Sequence, residues 1–410
     1  MAKKKKRYVS FYDETFHDRK ITEQKKNIGE MNIENIENSD TFLTTNIMFL
    51  AHKYPKQAKK FLDFENKTKC LLHIADNTEF KGTTISKKNF KFGIASFHKN
   101  SLEIYKNFFE MFDDSFYIQI SALSKFELVV DSLFEEMFVP MDVIESNYKY
   151  SLIKFLNTYK NKRLVSVFFN ENSNDADILN EINNLLTEIL ESIQGVERKM
   201  NEELALRQVQ NILNESKFTS QAKKKYNWDY NKAFHGLLLF LNELKIKTKS
   251  VTLYVDSEEL TEQSAKNYAF YNVVSANSME YEGIRIADIM CNFFGRFIKS
   301  VEDEYNEDWD DPNTRLLQNE RRILVKEWFE LTEEQFSLYI QISNIFYSRK
   351  NIYWTIQTGL YWGHFGTVMS LMYYFREYSD FSDYKKFSSK EHREFFNSFS
   401  VMREQEMYLN

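Results

Sequence analysis

Ten glycines and three prolines serve a chain of 410 residues. Gly supplies positive φ and Pro presets the backbone of a turn, so a chain poor in both has few of the residues that tight turns require. That weighs against collagen-like, repeat-turn and all-β sandwich architectures. The same chain carries 37 Phe and 24 Tyr, rings that mostly fill a core. Helix is expected to dominate.

The formal charge is −6, from 54 Lys plus Arg against 60 Asp plus Glu, which excludes a globally basic nucleic-acid coat. With 43% apolar and 28% charged residues, the composition is that of a soluble globular protein, and the length suggests two or three domains or one with large insertions. Cys70 and Cys291 cannot build a disulfide framework and no CxxC spacing exists for structural zinc. The start MAKKKKRY lacks the apolar core of a signal peptide. A reducing, cytoplasmic setting is therefore expected. Asn351 to Phe375 has no Asp, Glu, Lys or Arg and is long enough to cross a bilayer, but Gln357, His364 and several Thr, Ser and Gly favour a buried aromatic helix or helix pair.

Arg7 to Tyr12 alternates in strand fashion and ends at Asp13 and Glu14. Thr41 to Leu50, Phe90 to Ser96 and Ser115 to Ala122 read as further strands, with helices at Lys53 to Phe64 and Ser101 to Phe112. From Asp131 to Leu244 the periodicity is helical, ending in a helix over Tyr230 to Leu244 with Asp229 as N-cap. Ser250 to Val255 is a strong strand that ends at Asp256, as the first ends at Asp13. Asn277 or Ser278 caps a helix from about Met279 to Ile298, whose apolar stripe is Ala287, Met290, Cys291, Phe294 and Phe297. The acidic run Val301 to Asp311 reads as a solvated loop, and the remainder as aromatic-rich helices.

At 100° per residue Asp288 falls near Ile284, Cys291 and Gly295, on the apolar face or its edge, while Arg285 projects from another side. An ionised carboxylate facing a core costs several kcal/mol unless it is paired or holds a cation. Asp13 and Asp256 at strand ends, with Asp288 on a helix packed across the sheet, are the arrangement that binds hard cations. Two such ions held about 3.5–4 Å apart cleave phosphodiesters. Glu79, in TEFKG, is a fourth carboxylate, with Lys81 beside it. Glu-x-Lys is also half of a restriction-endonuclease-like site, which needs an upstream Asp on a strand, Asp63 or Asp76 being the choices.

Four segments, FYDET (11–15), EFKG (79–82), LYVDSEE (253–259) and SMEYEGIRIADIM (278–290), together resemble the family called domain of unknown function 3800. The resemblance implies an α/β, ribonuclease-H-like mixed sheet flanked by helices. Residues 1–130 and 246–300 would form its core, 131–245 a helical insertion and 301–410 a helical, aromatic-rich C-terminal region. It puts Asp13, Glu79, Asp256 and Asp288 in the metal-binding and catalytic roles, with Lys81 stabilising charge and Glu14 a ligand or a support. Gly283 and Ala287 match the closing motif. Arg285 stands where that family usually has Gln, and Phe16 and His17 where a small residue is common.

The implied activity is Mg²⁺- or Mn²⁺-dependent hydrolysis of nucleic acid, in bacterial defence against phage, with protein partners or self-association through the helical regions and no membrane. The alternatives are a non-catalytic scaffold on the same fold and a metal-assisted enzyme acting on a small substrate. No histidine falls in a catalytic or metal motif, and there is no GxGxxG, P-loop or GxSxG. The lysine clusters at 3–7, 53–60, 87–91 and 223–225 read as solvated faces.

Overall fold

The computed structural model describes residues 6–15, 21–34, 40–134, 137–138, 145–170, 172–218, 230–310, 324–356 and 364–409. Its centre is a six-stranded mixed sheet of order β8-β7-β1-β2-β4-β9. The strands are β1 (Tyr8–Thr15), β2 (Thr41–Leu50), β4 (Tyr117–Ser124), β7 (Val251–Asp256), β8 (Asn272–Ala276) and β9 (Ile352–Ile356). Short β3 (Lys91–Ile94) lies apart from it, and β5 (Met137–Phe138) pairs with β6 (Lys217–Phe218). β2 runs antiparallel to both β1 and β4, whereas β7 is parallel to β1, β8 to β7, and β9 to β4.

Helices cover both faces. On one side α1 (Tyr54–Leu72), α2 (Lys99–Glu110) and the long α11 (Glu282–Asp310) join α12 (Glu333–Ser348), α13 (His364–Tyr374), α14 (Phe381–Tyr384) and α15 (Ser389–Leu409) in one aromatic core with Phe11, Leu43, Ile47 and Phe49 of the sheet. On the other side α8 (Tyr230–Ala233), α9 (His235–Glu243) and α10 (Glu259–Lys266) pack on Tyr8, Tyr12, Phe42, Leu253 and Val255. α3 (Lys125–Phe134), α4 (Glu145–Tyr159), α5 (Lys162–Phe169), α6 (Asp175–Ile193) and α7 (Met200–Glu215) enclose a separate core, completed by Ile21, Met31 and Ile33 from between β1 and β2.

The α11 stripe is where periodicity put it: Ala287, Met290, Cys291, Phe294 and Phe297 are all buried. Several other expectations are corrected. The run 301–310 is not a loop but the last turns of α11, because Val301 and Glu304 turn inward. Glu304 accepts hydrogen bonds from Trp328 Nε1 (3.3 Å) and the Val325 amide (3.2 Å). The uncharged stretch 351–375 is neither one helix nor a pair: β9 takes its start and α13 its end. No helix among the described residues is long and apolar enough to cross a membrane.

Asn277 caps only a local turn, its Oδ1 accepting from Met279 N at 2.9 Å. α11 begins later, at Glu282, where the Tyr54 hydroxyl accepts from Gly283 N at 3.3 Å. The helix expected over 230–244 breaks at Phe234, and its proposed cap Asp229 lies outside the described residues. Edge strand β8 and α10 carried no signal strong enough to be read in advance.

Candidate carboxylate site

Alternation along neighbouring parallel strands brings the first two carboxylates together. The last paired positions of β1 and β7 are Phe11 and Tyr254, and their rings stack at 4.8 Å on the α11 side. Two residues further along each strand, on the same face, come Asp13 and Asp256. Glu14 alternates to the opposite face, where the Tyr12 hydroxyl donates to its Oε2.

The third carboxylate depends on how closely α11 approaches. A Cβ on Gly283 would lie 2.3 Å from ring carbons of Phe11, so only glycine lets the helix settle on β1 there. About two turns later the Cys291 thiol points at the carbonyls of Leu43 (3.5 Å) and Asp13 (3.8 Å), which fixes α11 across the ends of β1 and β2. Asp288, between these two anchors, faces the edge of the sheet beside Asp13.

The fourth arrives on a loop clamped at both sides. The Phe80 ring is fully buried, edge-on to Phe64 at 6.1 Å, and its amide donates to Glu65 Oε1 at 3.4 Å. The Gly82 amide donates to Asp288 Oδ2 at 2.7 Å, while Asn292 Nδ2 donates to Oδ1 at 2.8 Å. A side chain at 82 would collide with Asn292, its Cβ falling 2.6 Å from that residue's Cβ. Glu79 and Lys81 are therefore held against Asp288, and pair with one another at 3.5 Å.

The electrostatics are those of like charges crowded in a poorly hydrated place. Burial, then the negative charges of Asp288, Glu14 and Asp256, push the Asp13 carboxyl well above the usual range. Burial lifts Asp288 to about 6 against the lowering effects of the Gly82 amide, Lys81 and Arg296. Glu14 is raised to about 8, by burial first and by Glu258 and Asp256 after it. Asp256, by contrast, is exposed, and its Oδ1 accepts from the Ser257 amide at 2.8 Å.

An oxygen-only donor set of this kind suits a hard divalent cation. As the side chains are arranged, no three His, Cys, Asp or Glu among the described residues stand close enough to share one ion. Asp256 is turned to its own backbone and Glu79 to Lys81. The Glu-x-Lys alternative loses its frame: Glu79 lies in a loop rather than on a strand, and Asp63 and Asp76 are solvent-exposed. His17 and Phe16 lie outside the described residues.

Sequence reading missed what positions these groups. Arg285, expected to project away, is buried and ion-paired with Glu65 of α1 (Nε to Oε1, 3.2 Å), and also donates to Ser278 O. Glu65 therefore ties α11 to the loop that carries Glu79. Its signal was an acid at the i+4 position from Phe61 on an otherwise apolar stripe. No protein-family model matches this chain, and no curated protein and no solved structure shows significant similarity to it.

Proposed function

We propose that the protein is a divalent-metal-dependent phosphodiester hydrolase acting on nucleic acid, on a ribonuclease-H-like core. The observation that carries this reading is Asp13 beside Asp288 where α11 crosses β1, with Asp256 and Glu79 on two neighbouring segments, and with the Asp13 carboxyl pushed up by burial first and then by the charges of Asp288, Glu14 and Asp256. Like charges crowded in a partly buried place are costly unless something outside the chain offsets them. The mixed sheet, with parallel β7 and β8 beyond β1 and helices on both faces, supports the fold assignment, as do the four motif segments.

Asp13 and Asp288 would hold Mg²⁺ or Mn²⁺, with Asp256 and Glu79 completing the shell after a change of rotamer and Glu14 supporting from behind β1. Bound there, such an ion supplies Lewis-acid stabilisation and an acidified water. The chain contributes orientation and charge. Gly82 N–H and Asn292 fix the Asp288 carboxylate, the Phe80 plug excludes water from one side, and half-exposed Lys81 can follow negative charge developing on a phosphoryl oxygen.

Calorimetric titration of Mn²⁺ and Mg²⁺ into the wild type and into Asp13→Asn/Asp288→Asn tests the reading. A stoichiometric signal lost in the double variant is expected, followed by metal-dependent cleavage of DNA or RNA. Wild-type protein that neither binds metal nor cuts either polymer in its presence would turn the assignment to the scaffold alternative.

A further inference from the structure

One edge of the sheet is open and its strand carries no charge. β8 ends the strand order, with only β7 beside it. From Asn267 to Met279 there is no Asp, Glu, Lys, Arg or Pro, in a chain of which 28% is charged. The uncharged strand β2 is buried along its length, but this run is at the surface. Asn272, Ser275 and Asn277 are exposed, and Tyr271 and Met279 keep 58% and 55% of their area. Leu260, in the first turn of the helix α10 that packs on β8, is exposed as well.

Which backbone groups face outward follows from the ladder. The Arg7 carbonyl accepts from the Ala51 amide at 2.9 Å, so odd-numbered residues of β1 turn their backbone groups to β2 and even-numbered ones to β7. In a parallel pair each residue bonds the two that flank its partner. Ser10 stands opposite Leu253, and Leu253 opposite Val273. Carried across both registers, Asn272 and Val274 bond to β7, while Val273 and Ser275 point N–H and C=O away from the sheet. Among the described residues no other backbone group meets them. Lysine, proline and bulges are the usual means of keeping such an edge from pairing. β8 has no Lys or Pro, and its register with β7 is one to one.

We propose that β8 pairs with β8 of a second copy of this chain, antiparallel about a twofold axis at Val274, so that the two sheets become one. The charge pattern selects this occupant. About a twofold axis a strand meets itself reversed, so a run of charge would oppose its own sign. An uncharged run is what a second copy tolerates, and it gives a partner of either sign nothing to hold. With Val274 on the axis, Val273 lies opposite Ser275 of the second copy. Both are outward-pointing residues, so each such pair exchanges two hydrogen bonds. Val274 then faces its own counterpart at the closer, non-hydrogen-bonded spacing, about 4.5 Å between Cα atoms. Neither the metal nor the nucleic-acid reading enters this inference.

Sedimentation equilibrium of the full chain over a range of concentrations tests the pairing, together with Val274→Lys and with cross-linking of Cys70→Ser/Val274→Cys. Cys70 is replaced because it is exposed, whereas Cys291 is buried. The wild type is expected to be a concentration-dependent dimer. Val274 is only half-buried and can carry a lysine in the monomer, but two lysines on the axis oppose one another. Val274→Lys should therefore weaken dimerisation at least about tenfold with an unchanged circular dichroism spectrum. Mild oxidation should turn Cys70→Ser/Val274→Cys into a covalent dimer, since the Cα spacing suits a disulfide. Cys70→Ser/Asn272→Cys should not cross-link, because position 272 faces 276 of the second copy and not its own counterpart. The cysteine variants decide the matter if the lysine variant fails to fold. A wild type that is monomeric at every concentration overturns the proposal and leaves the edge to a strand of another protein. A dimer that survives Val274→Lys and does not cross-link at 274 overturns it too, by locating the contact elsewhere.

Discussion

Glu65 of α1 presses against α11 and Asp288 lies on it, yet their surroundings differ in one respect. Glu65 is buried but meets the guanidinium of Arg285 at 3.2 Å and Lys69 at 3.8 Å, so the chain supplies its own counter-charge. Asp288 meets amide donors from Gly82 and Asn292, and beside it Asp13 meets chiefly other carboxylates. The first is a closed ion pair that joins two helices. The second is a set of anions that Lys81 and Arg296 offset only in part, leaving Asp288 raised to about 6. The two acids thus separate a charge that the chain pairs by itself from one that it leaves largely to its surroundings.

The comparison breaks most visibly at Arg285. Arg285→Met should strand Glu65 without its main partner and cost about 3–5 kcal/mol in denaturant unfolding, and adding Glu65→Gln should recover most of that loss. A small loss in the single variant would mean that Lys69 alone suffices. Gly283→Ala comes next: its methyl would meet the Phe11 ring at 2.3 Å, and the resulting shift of α11 should cost about 1–3 kcal/mol and weaken Mn²⁺ binding together with stability. If stability falls while metal binding holds, the seating of α11 does not position Asp288.

The site itself should answer in the opposite direction. Asp13→Asn or Asp288→Asn removes an acid whose charged form the fold disfavours, so the metal-free variants should melt at or above the wild-type temperature while losing the calorimetric Mn²⁺ signal. A drop in melting temperature like that of Arg285→Met would erase the distinction between the two acids.

The smallest effect is a pH slope from the aromatic C-terminal region. His392 is buried, with Nδ1 at 2.8 Å from the Tyr374 hydroxyl and Nε2 at 2.9 Å from Tyr384 O, and burial holds it below its ordinary pKa. Burial likewise lowers His364 to about 4. A base whose folded pKa is depressed gives stability that is present above the unfolded value and lost as pH falls toward the folded one. Measured against His364→Gln, the wild type should therefore lose melting temperature between about pH 6.5 and 4, a difference that cancels the opposite pull which the raised carboxyls of Asp13, Glu14 and Asp288 exert in both proteins.

Much of this was readable in the chain because it is local. The run Thr41–Leu50 reads as a strand, and it is β2 to the residue. A strand with Asp at its end is legible at 13 and again at 256, and the stripe of α11 at its 3.6-residue period. Helix ends read less well: α1 runs on to Leu72 and α11 to Asp310, because Glu65 and Glu304 look like breaks in an apolar stripe until their partners Arg285 and Trp328 are known. The 351–375 stretch is ambiguous for the same reason. Uncharged aromatic sequence suits a buried strand and a buried helix alike, and only its pairing with β4 makes the first part β9.

The sequence by itself determined which residues could carry chemistry here: acids at strand ends, an acid on an apolar helix face and a Glu-x-Lys loop, since side-chain type and periodicity are written residue by residue. The tertiary structure alone decided which of them meet. Gly283 against Phe11, Glu65 on the Phe80 amide and Asp288 on the Gly82 amide act between residues from 15 to more than 270 positions apart. Contacts of that range follow from how helices seat on a sheet, and no local pattern in the chain encodes them.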